Sequence, residues 1–567
     1  MHVEKKSVES KLGYALLFFA AAISIIITPN VIFDPINLPK LLTLSIAGLG
    51  FGATLLNKSA RDFLAKEKLL KWLSYLIFID LLAILFFSGT NFDRSLFGTH
   101  GRNMGFLSYF SLVSIFLVAM KLSTQLVINH FSKLLIFLGV LAAIYGLLQS
   151  KSWDPISWQN ELGPVVGFFG NANFQSAFLG LATICSISQI FARAVSLALR
   201  SGYLFASLIM AYVILLTSSS QGFFIIAAGV FVLILILALE SRRKFLYVPL
   251  LCFGGVASIF TIMGLLGSGP FKSLILDSTL FVRRFFWEAA WNMTVQHPLL
   301  GVGFDGYIDW YRRTRPLEAL TDANVNIKTD SAHNIFLDIS SSGGFPLLLC
   351  YLLIQIYTGI SIVKILKRDK SYSPHLVGLT AAWVGYQVFS LVSISQIGIA
   401  VWGWLFSGLL IGYELQSRPA MPKQERNQTI RAGGTPGRPF KGQKLSLPVG
   451  MLFSAGAVLG LVISAPIFVG SANYVNALKV GQVQLLRDVA TSRPIDEQRI
   501  VGVAQLFLAN NLNQEALELA RLASEYFPDS SFAWEALLSN PTLTPSERTR
   551  VKQELKRLDP NNTRLVP

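Results

Sequence analysis

Arginines, aromatic rings and two histidines gather in one partly polar stretch, FVRRFFWEAAWNMTVQHPLLGVGFDGYIDWYRRTRPLEALTDANVNIKTDSAHN, set between apolar segments of membrane length. A guanidinium is a planar fork of donors that matches phosphate oxygens in pairs. On a helix, Arg283 and Trp287 share a face at i, i+4, with Arg284 beside them. Arg312 and Arg313 add two more cations. A lipid-linked diphosphate needs such groups near a bilayer surface. The alternatives are snorkelling arginines with an interfacial tryptophan, or a solvated face balanced by Glu288, Asp305, Asp309 and Asp322. His333, followed by Asn334, opens the next apolar segment, and imidazole is the usual base near neutral pH. A plain interfacial histidine is the competing reading. His297-Pro298 with Gly301 and Gly303 reads as a positioning turn. Asp305, Tyr307, Trp310 and Tyr311 are candidates for a sugar-facing wall.

Two further polar loops stand out. SLFGTHGRNMGFLSY carries Arg102 among glycines, and GPVVGFFGNANFQSAF carries Asn171 and Asn173 where a span begins, so that Asn171 is placed to cap that helix. No P-loop, zinc-ligand cluster, Asp-x-Asp pair or Gly-x-Ser-x-Gly elbow is present in the sequence. Neither a metal nor a cofactor is expected.

The elements that must position these residues follow from composition. The chain has 567 residues, 52% hydrophobic and only 14% charged, with a mean hydropathy of +0.53. These values fit an all-α polytopic membrane protein and not a soluble domain. About thirteen spans are expected at 12–32, 38–56, 69–88, 105–121, 132–149, 173–192, 202–218, 222–239, 246–266, 334–365, 375–394, 397–415 and 447–470. The tenth is long and has a break expected at Gly343-Gly344. Cys185, Cys252 and Cys350 fall inside spans as apolar side chains, with no disulfide implied. The net charge of +16 does not call for nucleic acid, because the lysines and arginines of alternate short loops fall on one side of the thirteen-span arrangement. That side is then cytoplasmic, with the N-terminus. No cleavable signal peptide is evident.

The resulting domains are a multi-span region at 1–415 with an extracytoplasmic loop at 267–333, a basic cytoplasmic linker at 416–446, one more span at 447–470, and a helical domain at 471–567. The last has apolar residues at helical spacing, including Ala504, Leu508, Ala516, Leu517 and Ala520, and resembles tetratricopeptide-type helix pairs. It is expected outside the cytoplasm.

The order GRNMG, GFFGNANF, a serine-rich turn, RRFFW…HPLLGVG and SAHNIFLDISSSGG resembles the O-antigen ligase and O-antigen polymerase (Wzy-like) superfamily, which includes bacterial O-oligosaccharyltransferases. The motifs cover roughly residues 90–345, and the span pattern extends the likeness to about 415. The resemblance implies a fold related to GT-C glycosyltransferases in the bacterial plasma membrane. It implies transfer of a glycan from an undecaprenyl-diphosphate carrier to a lipid, glycan or protein hydroxyl on the outer face. It implies no nucleotide sugar and no metal. The family histidine falls on His333 and the arginine before the tryptophan on Arg283, with Arg284 as near alternate; Arg102 matches the arginine of the earlier loop. These assignments make His333 and Arg283 catalytic, and Arg284, Arg102, Gln221, Arg312, Arg313, Asn334 and Asn173 substrate-binding. One departure is visible. Many members carry Ser-Arg-Gly in the turn after the seventh span, where this chain has Ser218-Ser219-Ser220-Gln221-Gly222. Gln221 donates a hydrogen bond but brings no charge, unless Arg284, Arg312 or Arg313 makes up for it.

The rival readings are a Wzy-type polymerase, a transporter, for example of inorganic carbon, and an assembly protein with a protein partner on its C-terminal helical domain. Transporters favour internal repeats and charges near the bilayer midplane. Here the spans are nearly free of ionisable residues, with Asp80 and Asp338 among the exceptions, and the chemistry-bearing side chains cluster at one surface.

Overall fold

The computed structural model describes residues 2–154, 156, 165–192, 195–265, 268–270, 272, 278–320, 327–369, 373–419 and 448–562. Most of the basic linker expected at 416–446 and parts of the 267–333 loop lie outside these. No strand occurs among the described residues, and each of the thirteen apolar stretches carries a helix. Eight of these helices are long and apolar enough to cross a bilayer, or nine when the pair Asn37–Thr54 and Lys58–Ala65, bent by 79°, is taken as one. That is fewer than thirteen for a physical reason. Helix Ala172–Ile190 is buried over nearly its whole length, so its serines and glutamines meet protein; Gln175 Nε2 donates to the Ala142 carbonyl at 2.9 Å. Helix Lys244–Leu265 is the opposite case, strongly apolar and almost wholly open along its length, as a lipid-facing helix is. Cys252 is exposed on it, whereas Cys185 and Cys350 are buried.

Helix Ile397–Gln416 is buried along most of its length and packs on Phe106–Leu122. The last apolar helix, Val449–Val480, runs against Asn37–Thr54. It approaches closely through Gly456 and Gly460, where an added Cβ would sit 2.2 Å from the Leu49 carbonyl oxygen and 2.3 Å from that of Ser45. Small residues four apart permit this backbone contact in the absence of a hydrophobic drive between helices.

The tenth stretch forms one helix, Ile335–Arg368, with non-helical backbone at Gly344, φ +67° and ψ −167°. The turn after His297 fills this break: Pro298 O accepts from Phe345 N at 2.8 Å, and Val302 N donates to Ser341 O at 2.7 Å. A side chain at Gly344 would meet the Pro298 carbonyl at 2.5 Å, which is why glycine is needed there. The expected break and the positioning role of HPLLGVG meet at this one contact.

Beyond Val480, helices Glu497–Ala509, Asn513–Tyr526, Ser531–Leu538 and Pro545–Leu558 form a separate hydrophobic core, with Phe507, Leu517, Trp534 and Leu555 inside it. This unit sits on helix Tyr307–Thr314 with Arg315 and Lys328, and on Asn91, Asp93 and Arg94. Arg94 is clasped between Asp309 and Glu497, Arg312 pairs with Glu535, and Arg313 pairs with Asp529 at 2.7 Å. Arg315 Nη2 donates to both carboxylate oxygens of Asp559, at 2.7 and 2.8 Å, with both groups buried.

Candidate functional site

A cavity of about 260 Å³ lies where several helices begin, lined among others by Arg102, Asn173, Gln221, Arg283 and His333. Its remaining polar wall is Asp34, Asn37, Asn171, Asp330 and Ser393. Helices Asn37–Thr54, Phe106–Leu122, Ala172–Ile190, Gln221–Glu240, Ile335–Arg368 and Ile397–Gln416 all start at these residues or within a few positions of them. They are the second, fourth, sixth, eighth, tenth and twelfth of the apolar stretches, so the alternation expected of a multi-span chain is obeyed. Helix N-termini carry partial positive charge, and several aimed at one space favour an anion there.

His333 has φ +53°, a left-handed conformation that non-glycine residues seldom hold unless their surroundings enforce it. The enforcement is visible on both sides. Ala332 N donates to Asp338 Oδ1 at 2.7 Å, and Asn334 caps the next helix by accepting from Phe336 N and Leu337 N while donating to the Leu391 carbonyl at 3.0 Å. The ring packs against Phe286, 5.7 Å between centroids. Burial, then Arg283 and Arg102, pull the imidazole from its ordinary value down to about 3. It is therefore neutral at physiological pH, with a nitrogen able to accept a proton or hydrogen bond. An anion between it and the arginines would raise that value again.

Arg283 rests on helix Ser278–Gln296 and donates to the Val392 carbonyl at 2.5 Å. Burial pulls its guanidinium below the ordinary value, and no carboxylate opposes the effect. Among the described residues it has no ion-pair partner, which leaves a desolvated positive charge facing the cavity. Arg102 is different. It is buried between Asp305 and Asp338, each at 3.5 Å, and donates to the Asp330 carbonyl. Burial alone would lower it, but Asp338, Asp305 and Asp330 together raise it. It is a fixed cation whose charge is largely offset from behind.

Asn173 and Gln221 are joined through the serine turn: Ser219 Oγ donates to Asn173 Oδ1 at 2.7 Å, and Gln221 Oε1 is buried with no hydrogen-bond partner among the described residues. Asn171 caps its helix through Asn173 N, as the sequence suggested.

Four expected residues do not line the cavity. Arg312 and Arg313 are held by Glu535 and Asp529 of the C-terminal domain. Arg284 stacks on Phe281 and Phe285, with its guanidinium carbon 4.2 and 4.6 Å from their ring centres. Asn334 serves as a helix cap. None of the three arginines therefore stands in at Gln221. The sugar-facing wall is also not formed: Tyr307 and Tyr311 are buried, and Asp305 accepts from Thr99 N and Met104 N. Asp34, Asn37 and Ser393 were missed. Asp34, the lone acid between the first two apolar stretches, was a usable signal. It accepts from Ile36 N and Asn37 N, and its Oδ2 is buried without a partner among the described residues. Lys40, also missed, donates to the carbonyls of Ile23, Ser24 and Ile26 and so caps the end of the first helix.

Residues 205–352, which include Gln221, Arg283 and His333, match the family described as O-antigen ligase. No curated protein matches the chain. The likeness to that family is confined to this stretch of the chain.

Proposed function

We propose that this protein moves a glycan from an undecaprenyl-diphosphate carrier to a hydroxyl acceptor on the extracytoplasmic face of the bacterial plasma membrane. The observation that carries the reading is the meeting of Arg283, a part-buried cation without a carboxylate partner among the described residues, and His333, a neutral imidazole, in one cavity at the starts of six helices. The lysine- and arginine-rich short loops lie at the opposite ends of those helices, so the cavity faces outward and the N-terminus is cytoplasmic. The C-terminal domain, which together with Asp330 lines an adjoining cavity, is then extracytoplasmic.

The acceptor oxygen bonds to the anomeric carbon while the bond from that carbon to the diphosphate oxygen breaks. The electron pair leaves on the diphosphate. Arg283 and the helix N-termini stabilise that charge, and Arg102, Gln221 and Asn173 hold the phosphate and the first sugar. His333 takes the hydroxyl proton, and the incoming diphosphate restores part of the basicity that burial and the arginines suppress. No step in this scheme is assigned to a metal.

Deletion of the gene, complemented with His333→Ala and Arg283→Ala, tests the reading. Undecaprenyl-linked glycan should accumulate in both, with solute uptake unchanged. Normal surface glycans with lost uptake would point to a carrier instead.

A further inference from the structure

Under the C-terminal domain lies a second cavity, of about 110 Å³, whose walls come from both parts of the chain. Asp93, Arg94 and Phe97 contribute from the membrane part, and Asp496, Glu497 and Phe527 from the C-terminal domain. The two cavities are neighbours. Thr99 and His100 line this one, Gly101 and Arg102 line the other, and Asp330 lines both. We propose that this cleft is the acceptor subsite and that it takes the hydroxyl-rich edge of a neutral sugar; this rests on the glycosyl-transfer reading above.

Three observations favour that occupant. Four carboxylates, of Asp93, Asp330, Asp496 and Glu497, face one guanidinium, Arg94, and the imidazole of His100, 3.8 Å from Asp496. Arg94 is already clasped by Asp309 and Glu497, so Asp93, Asp330 and Asp496 leave the space acidic, and it repels a phosphorylated acceptor. Carboxylates accept hydrogen bonds from sugar hydroxyls, and Thr99 Oγ1 is a buried hydroxyl with no partner among the described residues. Phe97, Phe527 and Phe532 give the cleft the apolar faces that the C–H side of a sugar ring meets. The volume suits part of one ring, so recognition would fall on the terminal residue of a longer glycan. The loop 99–102 and Asp330 separate this cleft from the cavity that holds His333.

The test uses the full-length protein in detergent micelles and neutral trisaccharides of glucose, galactose or N-acetylglucosamine, each beside its terminal 6-phosphate. Saturation-transfer NMR reads binding without turnover. At least one neutral trisaccharide should bind, with its phosphate weaker by about tenfold, equivalent to about 1.4 kcal/mol. Ile308 also lines the cleft, and Ile308→Phe narrows it while keeping every charged group; it should weaken the neutral sugar by about tenfold or more. Glu497→Gln should narrow the preference against phosphate. Undecaprenyl diphosphate binding should be unchanged in both variants. The proposal is overturned by no trisaccharide binding above empty micelles, by preference for the phosphate, or by wild-type binding in Ile308→Phe. Loss of sugar binding beside intact Arg283-dependent transfer would remove the subsite and leave the transfer reading. Sugar binding without any transfer would do the reverse.

Discussion

Arg283 and Arg315 belong to one arginine-rich stretch and end in opposite circumstances. Arg315 is buried against Asp559 of the C-terminal domain and donates to both of its carboxylate oxygens. Arg312, Arg313 and Arg94 are likewise matched to carboxylates of that domain. Arg283 is largely desolvated too, yet its partner is a single backbone carbonyl. A guanidinium with its charge already met fastens two parts of a protein together. One left unmet holds a site for an anion. The same residue type therefore builds both the docking interface and the cavity, and carboxylate placement separates the two.

The largest effect should come from the fastener. Arg315→Ala leaves Asp559 buried and unpaired, which costs about 3–5 kcal/mol. Proteolysis of the C-terminal domain and its unfolding midpoint would report this. Replacing both partners, Arg315→Met with Asp559→Leu, should recover most of the loss, because no charge is then stranded. If the double variant is as unstable as the single one, packing and not charge fixes the interface.

Arg283→Ala should come next, lowering kcat by on the order of 10²–10³ if it stabilises the departing diphosphate. Its fold should survive, since no carboxylate is orphaned. Arg312→Ala should leave kcat within about threefold, as expected for a side chain remote from the transition state. Equal losses in the two variants would erase the distinction between cavity and interface.

The pH profile sharpens the same contrast. With its free value near 3, His333 stays neutral from pH 8 to 5, so kcat/KM should show no histidine inflection near 6.5. In the donor complex the diphosphate raises the imidazole value, so an acid limb should appear in kcat alone. The folded value is below the unfolded one, so the stability due to this group is present above about 6.5 and is lost as pH falls toward 3. A fall in kcat/KM centred near 6.5 would mean that neither burial nor the arginines press on the ring.

The helices were legible because apolar length and basic loops are one-dimensional signals. The break at Gly343-Gly344 was legible because two adjacent glycines inside an apolar run have few other uses. His333, Arg283, Arg102, Gln221 and Asn173 were each flagged from their own loops, but nothing in the chain states that loops so far apart meet around one space. The fate of Arg312 and Arg313 was not legible, since their partners Glu535 and Asp529 lie in a different domain and carry no complementary pattern. Ser393 carried no signal: a serine among serines and isoleucines becomes part of a cavity only through the fold.

The smallest effect belongs to Arg313, and it tests the comparison at its weakest point. Arg313 bonds Asp529 at 2.7 Å, but that carboxylate is 41% exposed and also held by Arg557 at 3.2 Å. Arg313→Gln therefore strands no charge: water and Arg557 still serve Asp529. A pair open to solvent on its carboxylate side contributes about 0–1 kcal/mol, and salt screens it further. The unfolding midpoint should move by a few degrees at most, and by less in high salt, with transfer untouched. A drop in kcat as large as that of Arg283→Ala would put Arg313 among the groups that touch the donor, and carboxylate pairing would no longer tell fastener from site.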